Sequence, residues 1–371
     1  MSTQKTEERI SFINLNPKLS IIEDLNLKGL LFGKYKIMKK IGQGSYSSIF
    51  LGKDIHKNKY VAIKTQRKNC KQFNPLEKEA YYLYFLKGLG IPKVISFGYR
   101  GNYNILVETL LGKSISNFFS MKQDAQKKMK DLCMVAVQII DRIQYIHSKN
   151  ILHLDIKPDN FLVGNPNDSL IYMVDFGLSI KYRSSRTGKH INFSKNKIFK
   201  GTFNYSSVNL MGGIQPSRRD DLISIGYMLI YLIKGKLPWS KYEKDDLGKR
   251  FTKIYNMKKN MTNQDLCKYL PREFCLYMDY VQSLKFSEEP NYFHLRKLFI
   301  SILDKMNDKY DLKFSWIKNK KKSQSLSNNF SLTTTLNNTF RKKSFYGSLF
   351  ASLKENKIKN SMSVNKNDLK H

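Results

Sequence analysis

The sequence predicts an α+β protein of two lobes, a small β-rich lobe followed by a larger, mainly helical one. Two patterns and one bulk property predict this. Between Tyr35 and Lys64, short alternating and apolar stretches flank a glycine-containing turn, the pattern of paired strands. From Met129 to His147, apolar residues recur at helical spacing (Leu132, Val135, Ala136, Ile139, Ile140, Ile143, Ile146), and helical patterns continue to about residue 310. A hydrophobic fraction of 41% over 371 residues is enough for a full core. The expected plan is an extension over 1–34, a folded unit over 35–318 with lobes of about 35–109 and 110–318, and a tail over 319–371.

The elements follow in order. Residues before about 33 are polar and mixed, with one amphipathic stretch from Leu19 to Leu31. The alternating Tyr35-Lys36-Ile37-Met38 leads into Ile41-Gly42-Gln43-Gly44-Ser45, and a further apolar run begins at Ile49-Phe50. Strand, glycine turn and strand form the context in which backbone N–H groups can approach phosphates, because Gly42 and Gly44 carry no side chain. Ser47 stands where such loops usually have a third glycine. Val61-Ala62-Ile63-Lys64 is an apolar strand ending in a lysine. The helix containing Leu76 to Leu83 offers two carboxylates, Glu77 and Glu79. Glu79 is favoured, since Tyr82, Leu83 and Leu86 then follow it toward a core. Tyr103 to Val107 is another buried strand, and Leu110-Leu111-Gly112 marks the crossing to the second lobe. The apolar run Leu222 to Ile233 is too short to span a bilayer and is expected to be a core helix.

The chemistry is concentrated in His153-Leu154-Asp155-Ile156-Lys157-Pro158-Asp159-Asn160 and in Asp175-Phe176-Gly177, fifteen residues after Asn160. This ordered pair of strings resembles the working end of a protein kinase. Asp155 would meet an incoming hydroxyl, Lys157 the transferred phosphoryl, and Asn160 and Asp175 magnesium. Lys64 would hold nucleotide phosphates and pair with the helix glutamate.

Net charge is +35, from 65 basic and 30 acidic residues. Such an excess favours acidic or phosphorylated partners, while abundant Lys, Asn and Ile throughout is also the composition of proteins from AT-rich genomes. Charge without a recognition module implies only salt-sensitive contact with nucleic acid, so specific nucleic-acid recognition is not expected. Cys70, Cys133, Cys267 and Cys275 show no paired spacing. They are expected to be reduced thiols in a cytoplasmic or nuclear protein, with no signal peptide and no transmembrane segment. The tail, with eleven Lys/Arg against Glu355 and Asp368, is expected to be disordered. It would act as a basic tether or, through Lys318–Lys322 or Arg341–Lys343, as an import signal.

Further strings narrow the resemblance. Gly201-Thr202-Phe203-Asn204-Tyr205-Ser206-Ser207 is followed by Ser217-Arg218-Arg219-Asp220-Asp221-Leu222, then by Leu237-Pro238-Trp239 and Glu288-Glu289-Pro290-Asn291-Tyr292, and Ala-Pro-Glu is missing. With Leu110-Leu111-Gly112-Lys113-Ser114-Ile115, these resemble the casein kinase 1 family of serine/threonine kinases over about residues 35–318. The resemblance implies a bilobal kinase fold, ATP and Mg²⁺ as cofactors, and a monomer acting on acidic or phosphoprimed protein substrates. It implies a nucleotide site from Ile41, Gly42, Gln43, Gly44, Ser45, Ile49, Ala62, Lys64, Glu79, Leu110 and Leu111. Catalysis would use Asp155, Lys157 and Lys64, with magnesium on Asn160 and Asp175. Asp221 would anchor the catalytic loop from the central helix.

Three departures stand out. Leu154 replaces the arginine that usually precedes the catalytic aspartate. Asn204 replaces an arginine that binds an anion in the family, although Lys181, Arg183, Arg186, Lys189, Lys195, Lys197 and Lys200 lie close enough in sequence to compensate. Glu108 falls where the family has an apolar residue behind the adenine pocket. A buried carboxyl there would either take up a proton or pair with Lys64, whereas a one-residue shift would turn it to solvent. These departures, with Ser47, frame the alternative of a catalytically weak pseudokinase scaffold.

Overall fold

The computed structural model describes residues 30–44, 47–68, 74–164 and 169–317. The expectations for Ser45, Cys70, the amphipathic stretch before Leu30 and the tail beyond Ile317 lie outside them.

The first lobe is an antiparallel sheet of five strands in the order β1-β2-β3-β5-β4. These strands are β1 (Tyr35–Gln43), β2 (Ser48–Asp54), β3 (Lys59–Arg67), β4 (Val94–Arg100) and β5 (Tyr103–Thr109). Helix α1 (Pro75–Phe85) packs on one face. Cross-strand partners share a face of a sheet, which sorts the side chains. Phe50, Ile63 and Val107 are in register and, with Leu31, Tyr35, Val61, Tyr103 and Ile105, build a small core on the face away from α1. Leu31 is fully buried and bridges to Tyr35, so this core reaches back four residues before β1, into the stretch expected to be extension. The opposite face carries Ile49, Lys64, Leu106, Ala62 and Glu108, with Ile49 beside Lys64 and Ala62 beside Glu108.

The second lobe is built on helices α2 (Ile115–Phe119), α3 (Ala125–Ser148), α4 (Val208–Met211), α5 (Arg218–Lys234), α6 (Leu247–Asn260), α7 (Asn263–Leu266), α8 (Arg272–Ser283) and α9 (Tyr292–Lys305). Helices α3 and α5 are its axis, with almost every side chain of α5 from Asp220 to Ile230 buried. Its loops carry two small ladders, β6 (Ile151–Leu152) with β9 (Ile180–Lys181), and β7 (Phe161–Val163) with β8 (Ile171–Met173). These ladders fix the ends of the two motif-bearing loops.

Two local devices set the frame. Ser217 N-caps α5, and Asp220 returns the bond by accepting from the Ser217 backbone N–H at 2.8 Å, a capping box. Gly112, where the chain crosses between lobes, has room for no side chain. A Cβ there would sit 2.7 Å from the Gly164 carbonyl, to which the Gly112 N–H donates at the same distance. Among the described residues no helix is long and apolar enough to cross a membrane.

Candidate active site

The loop between β6 and the turn at Pro158–Asn160 is held from below by one carboxylate. Asp221, fully buried on α5, accepts from the backbone N–H groups of His153 and Leu154, both at 2.8 Å. His147 Nε2 donates to the same carboxylate at 3.0 Å while its Nδ1 accepts from the Tyr292 hydroxyl at 2.7 Å. Burial alone would raise the Asp221 carboxyl, but His147 and these backbone donors hold it below the usual carboxylate range. Burial likewise keeps His147 neutral, as the acceptor role of its Nδ1 requires. The support is needed because Leu154 takes a left-handed backbone, φ +67°, which a leucine adopts only when its surroundings impose it.

Above this anchor the reactive groups converge. Asp155 accepts from Lys157 Nζ at 2.6 Å and from Asn160 Nδ2 at 3.1 Å, and its other oxygen accepts from the Thr202 hydroxyl at 2.8 Å. Asn160 also donates to the Asp155 carbonyl at 2.7 Å, closing the loop on itself. His153 lies edge-on to the buried ring of Phe176, 5.1 Å between centroids, and donates from Nε2 to the Val174 carbonyl. Phe176 thereby fixes its neighbour Asp175, itself in a left-handed conformation with φ +65°.

The second convergence lies under the sheet. Lys64 Nζ is 2.6 Å from Glu79 and 3.6 Å from Asp175. Glu79 is buried on the inner side of α1, whereas Glu77 lies on the first turn and takes a hydrogen bond from Asn74. Burial opposes the charge on Lys64, but the surrounding carboxylates overcome it and hold its pKa above the ordinary lysine value. Asp175 is below the usual carboxylate range because Lys64 and Lys157 outweigh its burial. It is therefore an ionised oxygen ligand, and with the Asn160 amide it fits a hard divalent cation that takes two protein ligands and phosphate oxygens.

Glu108 does not turn to solvent. It is 9% exposed, forms no ion pair with Lys64, and its Oε2 has no hydrogen-bond partner among the described residues. Burial, reinforced by the charge of Glu79, pushes its carboxyl up to about 8. Three carboxyls surround one lysine here. Lys64 touches Glu79 and lies near Asp175, and burial raises the Glu79 carboxyl as well, against the pull of Lys64.

The remaining nucleotide-site candidates lie on or beside β1, β2 and β3 and at the crossing between the lobes. Gly42 pairs with Ile49 across β1 and β2, Gln43 accepts from the Ser48 hydroxyl at 2.8 Å, and the Gly44 N–H donates to the Ser47 carbonyl at 2.7 Å. Ile41 is exposed and Ala62 buried, while Leu110 and Leu111 are half-buried at the crossing.

Residues 35–308 match the protein kinase domain family. The chain belongs to the protein kinase family. Its sheet lobe and helical lobe are the two lobes of the kinase fold, and Lys64 of the sheet lobe meets Asp175 of the helical lobe at 3.6 Å. The family carries phosphotransferase activity toward proteins, with ATP as donor and typically Mg²⁺.

Two contributors were not singled out in the sequence. One is Thr202, whose hydroxyl caps Asp155. The other is Lys258, buried on α6. Only the second had a readable signal: Phe251, Ile254, Lys258 and Met261 follow helical spacing, which places a lysine on the apolar face.

Proposed function

We propose that this kinase is an active serine/threonine kinase of casein kinase 1 type, transferring the γ-phosphoryl of ATP to hydroxyls of acidic or phosphate-bearing proteins. The observation that carries this reading is the hydrogen bond from the Thr202 hydroxyl to Asp155 at 2.8 Å, beside Lys157 at 2.6 Å. A secondary aliphatic hydroxyl already reaches the carboxylate, in the relation a substrate Ser or Thr would need to surrender its proton. On this reading Asp155 accepts that proton and Lys157 neutralises charge on the transferred group. Lys64, oriented by Glu79, holds the donor phosphates beneath the Gly42–Gly44 turn. Asn160 and Asp175 would hold Mg²⁺, which neutralises the phosphate oxygens when bound. Positioning and charge neutralisation carry the catalysis, and both the lysine–glutamate pair and Asp175 are in the arrangement that this requires.

Preference for acidic substrates is supported by the segment leading to Thr202. Lys181, Arg186, Lys189, Lys195 and Lys197 are exposed there and make no ion pair with a described residue. Asn204, which replaces the family arginine, is engaged elsewhere, donating to Glu243 at 3.0 Å. Any anion site in this chain must therefore be built from the neighbouring basic residues. Glu108 favours a second reading, a catalytically weak scaffold, because its carboxyl crowds the lysine that would hold ATP.

The test is phosphate transfer from Mg-ATP to casein and to paired primed and unprimed serine peptides, with Asp175→Asn as control. Transfer to serine or threonine that vanishes in the control supports the reading. A folded protein that binds nucleotide without transfer would favour the scaffold.

A further inference from the structure

Lys258 is buried on α6 without a carboxylate partner among the described residues. Its Nζ donates to the carbonyls of Phe203 at 2.6 Å and Ser206 at 2.7 Å. It also lies 4.7 Å from the ring centres of both Tyr227 and Trp239, so two aromatic rings and no carboxylate flank it among the described residues. Burial lowers its pKa well below the ordinary lysine value. Trp239 adds a third grip, donating from Nε1 to the Asn204 carbonyl at 2.9 Å. Three carbonyls of the stretch from Phe203 to Ser206 are therefore held from the helical lobe.

That stretch leads directly to the reactive carboxylate. Ser206 donates to the Thr202 carbonyl from its backbone N–H at 3.1 Å and from its hydroxyl at 2.9 Å. Thr202 in turn donates to Asp155 at 2.8 Å. Gly201, at φ +131°, is tight against the same elements: a Cβ would meet the Leu154 carbonyl at 3.1 Å and the Ser206 hydroxyl at 3.2 Å. The path from Lys258 to Asp155 is thus three hydrogen-bonded steps through one compact turn. Kinases commonly carry Ala-Pro-Glu after this segment, and here that carboxylate is missing from the sequence.

We propose that Lys258 is a positioning residue for phosphotransfer, a buried amino group that clamps the Phe203 and Ser206 carbonyls and so holds Thr202 on Asp155. This rests on the kinase reading above. Lys258 touches neither substrate nor nucleotide; it acts through Thr202.

The test is a double-mutant cycle on the full chain, using Lys258→Met, Thr202→Val and their combination. Turnover is measured on a serine-containing acidic peptide with Mg-ATP, alongside the dissociation constant for Mg-ATP. Lys258→Met, of similar length but without donors, is expected to lower kcat/KM for the peptide about 10- to 100-fold. Nucleotide affinity should stay within about threefold. Thr202→Val should remove most of the same activity, and the double variant should be no more than about threefold worse than the poorer single. Multiplying losses, or a parallel fall in nucleotide affinity, would overturn the proposal. Should Lys258→Met fail to fold, Trp239→Phe carries the same cycle, since it removes the neighbouring grip on Asn204 and keeps an aromatic ring beside Lys258; a multiplicative loss with Thr202→Val would again overturn it. A wild-type chain that binds Mg-ATP without transferring phosphate sinks the kinase reading itself, whereas an active chain indifferent to Lys258→Met sinks this inference alone.

Discussion

The two polar centres of this cleft are built on opposite principles. Around Asp221 every polar contact is complete: two backbone N–H groups and one imidazole meet one carboxylate, and the imidazole is satisfied on its far side by Tyr292. Around Lys64 the contacts are incomplete, because three carboxyls compete for one cation and an oxygen of Glu108 has no partner. Low dielectric strengthens a completed network and penalises an incomplete one. The loop carrying Asp155 is therefore held by a closed set of hydrogen bonds, while the corner around Lys64 keeps a raised, unpartnered carboxyl.

Breaking the complete network has the largest expected effect. Asp221→Ala strands two buried N–H groups and frees Leu154 to leave its left-handed backbone. A loss of roughly 3–5 kcal/mol of stability is expected, measured by denaturant unfolding, together with loss of turnover. Near-normal stability would mean that the anchor is not where the loop is held.

Glu108→Gln sharpens the comparison from the other side. Its carboxyl titrates at about 8 in the folded chain, above the ordinary glutamate value of 4.5. A carboxyl raised by folding stabilises the protonated native state, and that contribution is lost as pH rises from about 4.5 through 8. The wild-type chain should lose up to about 4 kcal/mol across this range relative to the glutamine variant. The difference in Tm between the two should thus be small at pH 5 and widen in favour of Glu108→Gln by pH 9. A difference independent of pH would place the charge elsewhere. Lys64 should also hold Mg-ATP more tightly in the variant at high pH, since one competing negative charge is gone.

The smallest expected effect concerns Leu154. Asparagine tolerates the left-handed region better than leucine. Leu154→Asn should stabilise the fold by up to about 1 kcal/mol, a rise of a few degrees in Tm, without altering nucleotide affinity.

The sequence carried the two lobes because periodicity records which face of each strand or helix is buried. It also carried the Asp155 and Asp175 loops, because their chemistry needs fixed residue types at short spacing. The choice of Glu79 over Glu77 was legible for the same reason, since only Glu79 lies on the helix face that meets the sheet. Glu108 was legible as an anomaly but not as an outcome. Whether its carboxyl met Lys64 depended on strand register and on how Lys64 divided itself between Glu79 and Asp175, both three-dimensional facts. Thr202 and Lys258 were hidden because each acts through distant partners: Lys258 bonds carbonyls more than fifty residues away, and backbone acceptors leave no trace in a sequence.

The central claim is that Asp155 sits in a competent phosphotransfer site. It is tested most directly by incubating equal amounts of folded wild-type and Asp155→Asn protein with Mg-ATP and a serine peptide and counting phosphoserine by mass spectrometry. Steady phosphoserine formation is expected from the wild-type chain, with a fall of about 10³-fold or more in the variant and nucleotide affinity unchanged. Equal background levels from both, with nucleotide bound by both, would contradict it.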